Sequence, residues 1–240
     1  MKEGYDFKPT EISFPTWKDT GYESEFTGYT KPFKTNFAKY DRELHLSHKK
    51  YINDQIYNLG NIGKAGSYGN NGIEHCDFIN CKIVSTNFDY IIMSEVFCHH
   101  TTFSDNIYNK VSFEYCHFEN TQFIGKSMFD IEFRNCYFKD VEFLDLSMDE
   151  FMFYDCKIDD ITFNNISPMS RGYFQCSTID KINFINVNLN HVNVYYSRVK
   201  NIKINNVDRK TSEFGFVDNS LTFLFNGIFD KNCTSEGKPT

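Results

Sequence analysis

Twenty residues separate Cys116 from Cys136, Cys136 from Cys156 and Cys156 from Cys176, and Cys76 lies two such steps before Cys116. A fixed period marks a chain built of stacked units, each burying its apolar face only against its neighbours. The 20 divides into four fives. Residues 116–135 read CHFEN TQFIG KSMFD IEFRN, and residues 136–155 read CYFKD VEFLD LSMDE FMFYD. The frame holds from Cys76 to Gln175, slips by one residue near Cys176 and resumes at Ser177, giving 26 pentads up to Asn206. Their central position is apolar in 25 of the 26 and Phe in 12, with Pro168 the exception.

A period of five fits neither the 3.6 of a helix nor the alternation of a plain strand. It fits a chain that turns a corner every five residues, so that the central residue and the one two before it point inward. Four corners close a square turn and place residue i over i+20. With parallel strands ~4.8 Å apart, about 6.5 turns make a rod roughly 31 Å long. The inward columns are then Phe103, Phe123, Phe143, Phe163 and Phe184; Met93, Phe113, Phe133, Phe153 and Tyr173; Phe78, Cys98, Phe118, Phe138 and Ile158; and Phe88, Tyr108, Met128, Met148 and Pro168. Asn106, Lys126 and Arg171 fall at the second inward position as misfits.

Over residues 76–206 the chain resembles the pentapeptide-repeat family, in a divergent, Phe-centred form. The resemblance implies a mainly β fold, a right-handed quadrilateral parallel β-helix. It also implies a non-catalytic protein-binding role. Known roles in that family are acidic mimicry of DNA toward type II topoisomerases and use as modules of bacterial effectors.

The flanks lack the five-residue frame. Residues 1–36 read as an extended or disordered segment. Residues 37–59 read as a helix, from Tyr40, Leu44, Ile52 and Ile56 at multiples of four, with Thr35 or Asn36 as cap. Residues 60–75, with Gly at every third position from Gly60 to Gly72, read as a linker. Its Gly63-Lys64 lacks both the earlier Gly and the following Ser or Thr of a phosphate loop. Residues 207–240 read as a C-terminal cap and tail; the Phe-rich stretch between Thr211 and Asn232 covers the rod's open end or forms a homodimer contact.

The balance of 25 basic against 32 acidic residues, net −7, argues against direct nucleic-acid binding. No apolar run is long enough to span a bilayer, and the start has no apolar signal core, so a cytoplasmic protein is expected. The eight cysteines contain no Cys-x-x-Cys pair and belong to the core columns, reading as buried free thiols. His99, His100 and His117 are solvated residues or, less simply, a weak metal site. No cofactor, catalytic residue or metal ligand is assigned.

Ten acids against three bases lie between residues 130 and 160. Asp149, Glu150, Asp159 and Asp160 of this belt, with the outward column Phe97, His117 and Tyr137, form the candidate surface for a protein partner. The alternative is an enzyme that uses Asp149-Glu150 or Asp159-Asp160 in a groove between the N-terminal region and the β-helix.

Overall fold

A residue in the left-handed region closes nearly every pentad. Among the described residues, twenty-five that are not glycine have φ between 48° and 62°, and from Asn80 to Asn120 they recur at every fifth position. That conformation costs an L-residue roughly 1–2 kcal/mol, least for Asn and Asp, which fill 12 of the 25 corners. The corner N–H groups offset this cost by donating to the turn above, as from Asn80 to the His99 carbonyl (2.9 Å) and from Asn120 to that of Lys139 (2.9 Å). Asp130, Asp140, Asp145 and Asp155 are such corners, so part of the acidic belt is there for its backbone geometry.

The computed structural model describes residues 33–36, 45–57, 59, 72–209 and 213–216. Between corners the chain runs in short strands, and four of them make one turn: Asp77–Ile79, Lys82–Val84, Asn87–Asp89 and Ile92–Ser94. These begin four faces, I to IV in that order, of a four-sided parallel β-solenoid. The next turn pairs in register, Cys98 with Phe78, Phe103 with Ile83, Tyr108 with Phe88 and Phe113 with Met93.

The interior is filled by rings. On face II, Phe103, Phe123, Phe143 and Phe163 stack at centroid spacings of 4.8, 4.8 and 5.1 Å with planes within 15°. Face IV repeats this with Phe113, Phe133, Phe153 and Phe174 at 4.8, 4.7 and 4.7 Å. Between the two columns the contact is edge to face, as for Phe133 and Phe143 at 6.1 Å and 77°. Both are favoured aromatic geometries, so each ring gains from neighbours along and across the rod.

The second inward position does polar work. Cys116, Cys136 and Cys156 donate their thiols to the carbonyls of Met93, Phe113 and Phe133, each at 3.3 Å. Thr101, Thr121 and Ser197 serve Phe78, Cys98 and Phe174 in the same way. A small side chain with one donor fits here because a buried carbonyl is costly to leave unbonded. Asn106 satisfies the same need, donating to the Ile83 carbonyl (3.0 Å) and accepting from the Thr86 N–H (2.7 Å). All seven described cysteines are free thiols. Burial pushes the Cys76 and Cys81 thiols up to about 11 and also holds those of Cys98 and Cys136 well above the usual thiol range.

The structure corrects several expectations. The slip lies at Ser167-Pro168, not near Cys176: Met148 pairs with Met169 and Phe153 with Phe174. Phe174 is therefore fully buried and Tyr173 42% exposed, Met169 takes the central place expected for Pro168, and Arg171 becomes an outward corner. Lys126 also faces solvent, because Gly125 and Lys126 are both left-handed (φ 74° and 62°) and swing it out of the column.

The expected helix over 37–59 is not formed in its described part. His45–Ser47, Lys50–Ile52 and Asp54–Tyr57 are strands of a further solenoid turn. Leu46, Tyr51 and Ile56 occupy its central positions five residues apart, opposite Ile73, Phe78 and Ile83. Nor is all of 60–75 linker, since Gly72–Glu74 is a strand between His45–Ser47 and Ile92–Ser94. At the other end Glu213–Phe216 adds a strand beside Asn193 and Val194. The remaining parts of 1–36 and of the cap lie outside the described residues.

Candidate functional site

The period dictates what lies side by side on the outer surface. On face I, residues 20 apart occupy adjacent strands, so Phe97, His117, Tyr137 and Lys157 form one outward ladder in register. The His117 ring meets Phe97 edge-on at 4.9 Å and Tyr137 edge-on at 4.7 Å. The Lys157 ammonium sits 4.9 Å from the centre of the Tyr137 ring, a cation–π contact. The Tyr137 hydroxyl donates to Asp159, which Lys157 also approaches at 3.7 Å. Beside this ladder runs a second, with His99, Glu119 and Lys139 in register. Lys139 donates to Glu119 Oε1 at 2.7 Å, while His99 Nδ1 and His117 Nε2 lie 3.5 and 3.9 Å from Oε2.

This packing changes how the ladder titrates. The rings on either side desolvate His117 and hold its pKa down to about 4, against the pull of Glu119. Desolvation, with Asp159 as hydrogen-bond acceptor, raises the Tyr137 phenol. The Lys139 hydrogen bond lowers Glu119. His117 is thus a neutral ring at neutral pH. Because its folded pKa lies below the unfolded value, its stabilising contribution is complete above pH ~6.5 and declines as pH falls toward ~4. Between about pH 7.5 and 5 this should remove about 2 kcal/mol of stability. Thermal melts at both pH values should show a smaller acid loss for His117→Phe than for the parent; equal losses would refute the assignment.

The candidate residues fall into two separate groups. Phe97, His117, Tyr137 and Asp159 come together on face I, and Asp160 stands just beyond them, bonded to Lys181 and, at 3.2 Å, to Asn183. Asp149 lies on face III and Glu150 at the corner between III and IV, on the other side of the square. There Arg171 clasps both carboxylates, with Nε 2.8 Å from Asp149 Oδ1 and its terminal nitrogens on Asp149 and Glu150. Glu119, Lys139 and Lys181 are further members of these groups that the column spacing of 20 to 21 residues places in reach of their partners, whereas Arg171 joins only because the extra residue at Ser167-Pro168 turns it outward.

Among the described residues no group of three or more His, Cys, Asp or Glu is arranged to hold a metal. A shallow groove of about 610 Å³ lies over the corner between faces III and IV, with Ile131 and Phe151 in its floor and Tyr173 at its side.

Pentads with left-handed corners, four to a turn, around a solid aromatic interior define a four-sided parallel β-solenoid of five-residue repeats. No protein-family model and no curated protein matches the sequence. Among solved structures the fold is similar to that of HetL, a pentapeptide-repeat protein involved in heterocyst differentiation regulation from the cyanobacterium Nostoc sp. strain PCC 7120. The identity is 8% over 76% of this chain and 90% of that one, with a TM-score of 0.46. It is also similar to trypsin-treated QnrB1, a plasmid-mediated fluoroquinolone resistance protein, at 14% identity over 79% of this chain and 97% of that one, with a TM-score of 0.36.

Proposed function

We propose that the protein is a non-catalytic scaffold that binds a protein partner through the outer surface of its solenoid. The observation that carries this reading is the filled interior. Phe78, Phe103, Phe123, Phe143 and Phe163 are all 2% exposed or less, so a substrate has no room inside and any ligand must use outward residues. Face I offers the best-organised outward surface: a neutral aromatic ladder flanked by the Lys139–Glu119 and Lys157–Asp159 pairs. Aromatic residues ringed by polar ones are the composition of protein interfaces.

An acidic surface that imitates nucleic acid is the weaker reading. Asp149, Glu150, Asp159 and Asp160 each face a cation, namely Arg171, Lys157 or Lys181. Reversing them to Lys would therefore also break contacts between turns. The enzyme reading has less support still, since the carboxylates it would use, Asp149-Glu150 and Asp159-Asp160, are each taken up by a cation.

The test is capture of partners from the source cell by the intact chain and by a Phe97→Ala/Tyr137→Ala variant whose melting curve matches the parent's. A specific partner should be retained by the parent and weakened about tenfold or more in the variant, as for loss of interface anchors. Identical captured sets would remove face I from the reading, and turnover of a substrate by the purified chain would remove the scaffold.

A further inference from the structure

The groove between faces III and IV is built from two outward columns. Glu132, Met152, Tyr173 and Asn193 stand in register on four adjacent strands. Beside them runs the corner column Asp130, Glu150, Arg171 and His191, all four left-handed. Four strands ~4.8 Å apart make a trough about 14 Å long, running along the rod and across the strands. That length matches about four residues of extended chain at ~3.3 Å each.

Its chemistry selects the occupant. Glu150 is taken up by Arg171 and Glu132 by Arg134, the latter at 2.7 Å. Asp130 has no ion-pair partner among the described residues, and the groove's charged lining is three carboxylates to one guanidinium. Ile131, Phe151 and Met152 give the groove an apolar lining, and Tyr173, 42% exposed, stands beside them. An apolar trough with a half-exposed ring on one wall and an unmatched carboxylate on the other suits a cation on an aliphatic stem. The stem lies along the apolar floor, the charged head pairs with Asp130, and the ring supplies a cation–π face.

We propose that this groove binds a short extended segment of a partner protein through an Arg or Lys side chain that pairs with Asp130 and packs on Tyr173. The proposal rests on the scaffold reading but names a different surface from the face I ladder. In an extended segment alternate side chains share a side, so a basic residue at every second position presents its cations together.

The probe is a fluorescein-labelled Ala-Arg-Ala-Arg-Ala-Arg peptide, with Glu in place of Arg as control, titrated with the full chain and followed by anisotropy at about 0.1 M salt, where charges are screened over ~10 Å. The Arg peptide should bind and the Glu peptide should not. Asp130→Asn should weaken binding about tenfold, the range for a hydrogen bond to a charged group, and Tyr173→Ala about two- to fivefold. Asp140→Asn removes the same charge at an equivalent left-handed corner away from the groove, and it should leave affinity within about twofold, because exposed charges beyond the ~10 Å screening length act little. Equal losses for Asp130→Asn and Asp140→Asn, or no binding of the Arg peptide, would overturn the assignment. If the Arg peptide fails while the intact chain still captures a partner through face I, the groove falls and the scaffold reading stands.

Discussion

Replacing Phe143 with alanine is expected to destabilise the middle of the solenoid by about 3–5 kcal/mol, the range for truncating a fully buried Phe. The ring is completely buried and has partners in two directions. Phe123 and Phe163 stack on its faces at 4.8 and 5.1 Å, while Phe133 and Phe153 meet it edge to face at 6.1 and 6.3 Å. Alanine would break the face II column and withdraw a ring from face IV at the same level. Each turn touches only the turns above and below, so the loss should be concentrated near residues 123–163. Urea denaturation would read the size of the effect, and faster hydrogen exchange of backbone amides in those turns would read its location. Phe129→Ala is the matched control: Phe129 faces outward and is 37% exposed, so its loss should cost less than about 0.5 kcal/mol. An unchanged midpoint for Phe143→Ala would contradict the stacked column.

The interior was legible in the sequence because the period is stronger than any local propensity. Phe at every twentieth residue admits one arrangement in which all the rings are buried, and Phe103, Phe123, Phe143, Phe163 and Phe184 adopt it. The misplaced slip has a definite cause. Cys176 continues the 20-residue cysteine spacing, and Tyr173-Phe174 offers two aromatics for one inward place. Frame continuity favoured Tyr173, whereas the structure absorbs the extra residue at Ser167-Pro168, puts Phe174 inside and leaves Cys176 at a left-handed corner. Ser177 then takes the thiol's role, donating to the Phe153 carbonyl at 3.3 Å. The first described turn was misread because Ile52 and Ile56 are four apart. Leu46, Tyr51 and Ile56, with left-handed His48 and Asn53 between them, carry the five-residue pattern instead.

The outer surface was only half legible. The 20-residue rule correctly stacks Phe97, His117 and Tyr137, since it follows from the fold. It could not show that Arg171 faces outward to hold Asp149 and Glu150, because that depends on where the extra residue is inserted. Nor does acidity in sequence translate into acidity in space. Asp130, Asp140, Asp145 and Asp155 serve as corners on different edges of the square, and the face I acids stand against lysines. Read along the chain, residues 130–160 form one acidic belt; folded, they are distributed around a rod.

The second large effect expected is at Gly172, where the constraint is space rather than backbone conformation. Only Gly125 among the described glycines has a positive φ. Gly172 occupies the second inward position of face IV, between Phe151 on one side and Val192 on the other. Neighbouring turns carry Val111 and Ile131 at this level, so Phe151 is oversized for the column and glycine above it is undersized. A Cβ at position 172 would lie closer than 3.0 Å to three atoms of the Phe151 ring, and that ring is itself held edge-on by Phe153 and Phe174 at 6.1 and 6.0 Å. Gly172→Val should therefore cost about 3 kcal/mol, the upper part of the range for overpacking a filled core. Phe151→Val alone should also destabilise, by leaving a cavity. Combined, the two substitutions put valine on valine, as in a regular column, and should recover about 2 kcal/mol or more relative to the sum of the single losses, a coupling within the range for residues in contact. Urea midpoints of the parent, both single variants and the double variant close the cycle. Strict additivity would show that Phe151 and Gly172 do not compete for one volume, and the size-matching account of this turn would be wrong.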